Sequence, residues 1–280
     1  MRPDLLLVDG EPSSQLSALD RGLHYGDGLF ETIACQRGRA RFLALHLKRL
    51  TKGCERLGLR APDLQSLRAQ IEQLVPVAAP VLIKLIVTRG RATARGYRSR
   101  GDEQSTQVLL RYPASPEDPS LAHDGIVARV ADLKLGENPA LAGIKHLNRL
   151  EQVLANRETD ASGALESLLF SSSGRLISGT MTNVFLVRDS EVATPRLDLC
   201  GVEGVMRSVV MREAHQAQRP IEERALWRAD LDAAQEIFLT NARIGIWPVR
   251  MLEGRTLTPG PVTRHLQQLL QPLLEAPADA

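Results

Sequence analysis

The segment YGDGLFETIACQRGRARFLALHLKRLTKGCERLG, residues 25–58, sets the architecture of the first part of the chain. Gly26 and Gly28 precede an apolar run at 29–35, and the turn Gln36-Arg37-Gly38-Arg39 leads into a second run at 40–43. Two such runs around a glycine-containing turn predict a hairpin. The period then changes: Leu47, Leu50, Cys54 and Leu57 recur every three or four residues, the spacing of one helix face. Gly58 stands where a left-handed helix cap favours a residue without Cβ. Working outward, 5–8 reads as a short strand, 64–75 as a second helix, and 81–87 and 107–112 as strands, the first mostly buried. Helices laid on strands make this an α/β domain.

The chain continues through PASPEDPSLAHD, residues 113–124, whose three prolines give an exposed connector. The expected organisation is an N-terminal domain at 1–114, a linker at 115–124 and a larger α+β domain at 125–280. Two domains also suit 280 residues, more than one core usually organises. In the second part, 126–130, 183–187 and 237–240 read as strands and 147–158, 205–217 and 262–274 as helices. A hairpin is expected where Ser171-Ser-Ser-Gly-Arg175 follows the apolar stretch 167–170.

With 43% hydrophobic and 24% charged residues, the composition is that of a folded protein and excludes a largely disordered chain. Asp4 and Asp9 interrupt the N-terminal apolar stretch, and no run of eighteen apolar residues follows. The reading is a soluble cytoplasmic protein with no membrane partner. The net charge of +2 is too small to argue for nucleic acid, although the arginines between 89 and 100 could track a phosphate backbone. Cys35, Cys54 and Cys200 are widely spaced and odd in number, which predicts buried thiols and no metal site.

Only five of the 35 basic residues are lysines, so chemistry that needs an amine has few candidates. A nucleophilic lysine requires partial desolvation or a neighbouring cation. Lys145, in Leu141-Ala-Gly-Ile-Lys-His-Leu-Asn148, is the best placed; Lys48 and Lys52 lie on the polar side of a helix, Lys84 interrupts an apolar strand, and Lys134 adjoins a loop. His146 beside it reads as a structural hydrogen-bonding residue. Three separated segments carry anion-binding donors: Arg49 in His46-Leu-Lys-Arg-Leu50, a helix opening at Gly204-Val-Met-Arg207, and Thr240-Asn-Ala242 at a strand end.

Taken together, these segments resemble the fold-type IV pyridoxal-phosphate enzymes, the family of branched-chain and D-amino-acid aminotransferases and of 4-amino-4-deoxychorismate lyase. The resemblance runs from Tyr25-Gly-Asp-Gly through Lys145, Thr182-Asn-Val-Phe185 and Gly204-Val-Met-Arg207 to Trp247-Pro-Val249. It is strongest to the lyase branch, in Gly143-Ile-Lys-His-Leu-Asn-Arg-Leu-Glu-Gln-Val-Leu154, in Arg95-Gly-Tyr97 and in Asn241-Ala242.

The resemblance implies a small N-terminal α/β domain, a larger domain with a barrel-like sheet, and pyridoxal 5'-phosphate between them, carried covalently by Lys145. It further implies that Arg49, Val205, Met206, Asn241 and Ala242 surround the phosphate, that Phe30, Thr32, Arg95 and Tyr97 meet the substrate, 4-amino-4-deoxychorismate, and that the chain is a homodimer. Ser178 stands where most of the family has a glutamate facing the pyridine nitrogen. A hydroxyl supplies no negative charge to hold a proton there, which favours elimination over transamination. An aminotransferase acting on D- or branched-chain amino acids is the alternative.

Overall fold

The structure, a computed structural model, describes residues 2–93, 95–101 and 103–275. It separates into two compact units: residues up to Pro116 together with Ile144–Asn148, and Glu117–Gly143 together with Arg149–Glu275.

The first unit runs β1 (Leu5–Val8), β2 (Glu11–Pro12), α1 (Arg21–Tyr25), β3 (Gly28–Gln36), β4 (Arg39–Ala40), α2 (Leu43–Leu57), α3 (Leu64–Gln73), β5 (Val81–Thr88) and β6 (Thr106–Pro113). The expected hairpin is β3–β4, closed by Arg37 and Gly38, both at positive φ as a tight right-twisting turn requires. α2 ends at Gly58 in the left-handed conformation, as the spacing predicts. Asp63 starts α3 by accepting from the amides of Gln65 and Ser66.

The strands form one antiparallel sheet in the order β2-β1-β6-β5-β3-β4. Alternation decides its faces. Leu29, Ile33 and Cys35 of β3 and Val81, Ile83, Leu85 and Val87 of β5 pack with Leu47, Leu50 and Cys54 of α2 and Leu67 and Ile71 of α3. Each fully buried aliphatic side chain there adds roughly 1.5–3 kcal/mol. Phe30 and Thr32 take the other face and are half-buried.

The second unit continues with α4 (Pro119–His123), β7 (Ile126–Leu135), α5 (Leu150–Ser162), β8 (Glu166–Ser171), β9 (Arg175–Gly179), β10 (Asn183–Arg188), β11 (Glu191–Pro195) and α6 (Val205–Gln216). It closes with β12 (Glu222–Arg224), β13 (Leu226–Trp227), α7 (Arg228–Ala233), β14 (Glu236–Asn241), β15 (Gly245–Leu252), β16 (Arg255–Thr256) and α8 (Pro261–Glu275). Its ten strands form one sheet in the order β12-β11-β10-β14-β15-β7-β8-β9-β13, with β16 on β15. β9 also packs along β10, so the sheet curls into a nearly closed barrel. Phe185 and Phe238, directly paired across β10 and β14, stack with ring centroids 4.7 Å apart on the face opposite Val184, Leu186, Ile237 and Leu239.

Three local expectations change. The stretch read as connector contains α4, because Asp118 accepts from the Ser120 amide and Pro119 suits the first helical turn. The helix expected from 147 begins at Leu150, because 144–148 instead run beside β3. The strand expected at 126–130 extends to Leu135. Residues 276–280, the end of the expected second domain, lie outside the described residues.

Among the described residues, no helix is long and apolar enough to cross a membrane. All three cysteines are buried free thiols; burial pushes Cys35 up to about 12, so it stays protonated and unreactive.

Candidate active site

Lys145 is held by backbone, on the edge of β3. The Phe30 amide donates to the Lys145 carbonyl at 3.0 Å and the Leu147 amide donates to the Gly28 carbonyl at 3.0 Å. This pairing explains one glycine of the Tyr25-Gly-Asp-Gly segment: a Cβ on Gly28 would sit 2.6 Å from the Val87 carbonyl and 2.8 Å from the Leu147 side chain. The Asn148 side chain closes the segment by donating to the Gly26 carbonyl. Lys145 Nζ lies 4.1 Å from the centroid of the Phe30 ring, a cation–π contact beside half-buried apolar surface. An amine so placed is oriented for chemistry on the face that carries Phe30 and Thr32.

On the opposite, helix-covered face, Glu31 occupies the core position between Leu29 and Ile33 and is 1% exposed. Its carboxylate accepts from Arg49 Nε at 2.8 Å, from Arg49 Nη2, and from His46 Nδ1 at 2.7 Å. Burial alone would raise its pKa; the Arg49 charge and the Arg49 and His46 hydrogen bonds override this and hold it at about 2. For His46, burial outweighs Glu31 and lowers the pKa, leaving a neutral ring that donates from Nδ1; Nε2 has no partner among the described residues. Arg49, on α2 four residues after Leu45 and one turn past His46, is thus a guanidinium fixed by a buried carboxylate.

In the second unit, Glu166 at the start of β8 has no exposed surface. Its carboxylate accepts from the amides of Ser167, Thr180 and Met181 and from the hydroxyls of Thr180 and Thr182. It thereby fixes the connection from β9 to β10, between Ser178 and Asn183. Ser178 is buried, and its hydroxyl donates to the Gly179 carbonyl at 2.9 Å, leaving oxygen lone pairs as acceptors.

Asn183 in turn sets the start of α6. Its Nδ2 donates to the Val202 carbonyl at 2.9 Å, and its Oδ1 would lie 2.0 Å from a Cβ on Gly204. Gly204 caps α6 without a side-chain bond, so the amides of Val205 and Met206 open a twelve-residue helix as an anion-receiving end. Gly204→Ala is expected to displace this helix start and lower stability by about 1–3 kcal/mol, measured by urea unfolding. A variant of unchanged stability would show that the contact relaxes freely.

Asn241 ends β14. Its Oδ1 accepts from the amides of Arg243 and Ile244 and its Nδ2 faces the Met181 carbonyl at 3.4 Å, so the side chain builds the turn that presents Ala242. In the first unit, Arg95 and Tyr97 lie on an exposed loop, Tyr97 85% exposed and its ring 5.2 Å from that of Tyr25. The loop is gripped through its backbone: buried Arg21 donates to the carbonyls of Gly96 and Tyr97 at 3.1 and 2.9 Å, while its Nε pairs with Asp27. Arg89 closes the same network on Asp27.

No sequence motif announces the roles of Glu31, His46, Glu166 or Arg21. Glu31 carried a usable signal, a charge in the buried phase of an alternating strand, which demands a partner. Glu166 carried none, since every donor to it but the adjacent Ser167 amide comes from a turn fourteen to sixteen residues away.

A profile of the family described as "Amino-transferase class IV" matches residues 28–252. An aminodeoxychorismate lyase from Vibrio harveyi is 30% identical over 93% of this chain and 97% of its own length. A D-alanine aminotransferase from Bacillus licheniformis is 27% identical over 90% of this chain and 89% of its own. The crystal structure of 4-amino-4-deoxychorismate lyase from Pseudomonas aeruginosa superposes with a TM-score of 0.90 at 40% identity, covering 95% of this chain and 98% of that one.

Proposed function

We propose, from the premise that this chain belongs to the class IV amino-transferase family, that it is a lyase converting 4-amino-4-deoxychorismate into 4-aminobenzoate and pyruvate. The family is pyridoxal-phosphate-dependent. The residues suit that group in kind: a lysine amine against an aromatic face, an α6 start free of side-chain capping where a Cβ would be excluded, and a carboxylate-fixed guanidinium. Lys145 would carry the aldehyde, the amides of Val205, Met206 and Ala242 with Arg49 and Asn241 would receive the phosphate, and Ser178 would face the ring nitrogen.

The observation that carries the lyase reading is the Ser178 hydroxyl. It is buried on β9, neighbours no carboxylate on that strand, and can accept or share a hydrogen bond without supplying charge. When bound, pyridoxal phosphate supplies an electrophilic aldehyde and an electron-withdrawing ring that acidify the substrate carbon bearing the amino group. Lys145, whose amine lies against Phe30, would be the base that takes the proton from that carbon. The ring becomes aromatic as the enolpyruvyl C–O bond breaks, and the departing enolate gains a proton to become pyruvate. Aromatisation supplies driving force that transamination lacks, so a ring without a charged partner suffices. Phe30 packs against the Lys145 amine, Thr32 shares its face, and Arg95 and Tyr97 are the loop residues assigned to substrate.

The reading includes a cytoplasmic homodimer with neither nucleic acid nor membrane as partner; exposed Leu150, Val153 and Leu154 on α5 support an apolar interface. The test is to supply chorismate, glutamine and a separate aminodeoxychorismate synthase. Formation of 4-aminobenzoate and pyruvate in equal amounts, with no 2-oxo acid added, is expected. Turnover of D-alanine or a branched-chain amino acid that depends on a 2-oxo acid, without 4-aminobenzoate, would replace this reading with the aminotransferase one.

A further inference from the structure

Lys84 is the one lysine of the first unit's sheet, and the sequence gives it no evident purpose in an otherwise apolar strand. Its register settles its surroundings: it pairs with Thr32 on β3 and with Leu110 on β6, and directly paired residues point to the same face. That is the face of Phe30. The other neighbours there are Leu82 and Ile86 on β5, Ala34 on β3, and Val108 and Tyr112 on β6, so none of the three strands offers it a carboxylate. Glu31 lies on the opposite face, spent on Arg49 and His46. Lys84 is half-buried, its ammonium lies 5.5 Å from the Phe30 ring centroid, and it makes no hydrogen bond or ion pair among the described residues.

A partly desolvated cation on an apolar surface is costly without a counter-charge. Its ring contact compensates only in part. The same Phe30 ring lies against Lys145 Nζ, so two amines gather about one aromatic side chain, an arrangement suited to a ligand that carries an amine and a carboxylate on opposite sides of one six-membered ring. We infer that Lys84 is the substrate-binding residue for the ring carboxylate, making the site selective for amino acids whose carboxylate is across a ring from the amine. This rests on the lyase reading above and adds to it a residue that distinguishes such substrates from ordinary α-amino acids.

The experiment compares the holoenzyme with Lys84→Met and Lys84→Arg, reading both binding and turnover. Binding is measured by calorimetry with 4-aminobenzoate and with 4-aminobenzamide, which keeps the shape and loses the charge. The wild type is expected to bind the carboxylate at least about tenfold more tightly than the amide, the scale of one charge-assisted hydrogen bond. Lys84→Met should bring that ratio close to one and Lys84→Arg should keep most of it, with the bound-cofactor spectrum and thermal midpoint unchanged in both. In turnover, Lys84→Met should raise KM about tenfold or more with a smaller change in kcat. A wild-type ratio near one, or a ratio that survives in Lys84→Met, overturns the assignment. A wild type that makes no 4-aminobenzoate refutes the lyase reading instead, and the calorimetric ratio still decides the role of Lys84.

Discussion

Lys145→Ala is expected to lose 4-aminobenzoate formation by about 10⁴-fold or more, because the proposed function assigns to one amine both the carrying of the cofactor and the movement of the proton. None of the other lysines can substitute for it. Lys145 is the one whose segment is pinned along β3 by two backbone hydrogen bonds, one to its own carbonyl and one from Leu147, with its amine against Phe30, and that positioning comes from strand pairing, which a surface lysine cannot reproduce. Borohydride treatment followed by mass spectrometry gives the check: the wild type should gain the mass of one reduced cofactor on the peptide containing Lys145, and the variant none. Covalent capture of the cofactor by the variant would remove Lys145 from the mechanism. The variant should still fold, since the segment is held by its main chain.

Glu31→Ala is expected to destabilise the protein by about 3–5 kcal/mol, because it leaves the Arg49 guanidinium without its buried partner. The acid response carries its own sign. Folding lowers the Glu31 pKa from 4.5 to about 2, so its contribution is complete above about pH 4.5 and fades as the pH falls towards 2. Of the total, about 3 kcal/mol should be pH-dependent in this way. Urea unfolding at pH 7 and near pH 3 measures it: the gap between wild type and variant should narrow in acid. A constant gap would mean that Arg49 does not hold the carboxylate ionised. Glu31→Gln should retain more stability, since the amide oxygen still accepts from Arg49, while losing the acid dependence.

Much of the first unit was legible because its signals are local. The β3–β4 turn, the α2 period and Gly58 each state their conformation within a few residues. The start of α5 was not legible in the same way: Leu147 and Asn148 fit a helix period, yet the pairing of Leu147 with Gly28, more than a hundred residues earlier, takes them out of it. Lys145 could be singled out by the scarcity of amines and by family resemblance, and Phe30 by the resemblance alone, but the place of Lys84 beside Phe30 could not, because the two meet only after register is set. Asn241 shows the opposite case. Its residue type points to a donor for an anion, and the structure adds a role that the type does not announce: its oxygen accepts from the Arg243 and Ile244 amides and builds the turn that carries Ala242.

The segment Ile144–Asn148 has a consequence for how such a protein could be divided or recombined. It completes the first unit although its sequence lies inside the second, with Ile144 in the first unit's apolar core and Leu147 on the open edge of β3. A fragment ending at Pro116 would therefore present an unpaired strand edge and a gap in its interior, inviting self-association. A crossover at that boundary would separate Lys145 from the sheet that orients it. The two units are thus not exchangeable modules, and inheritance or engineering that preserves the chemistry must transmit them together.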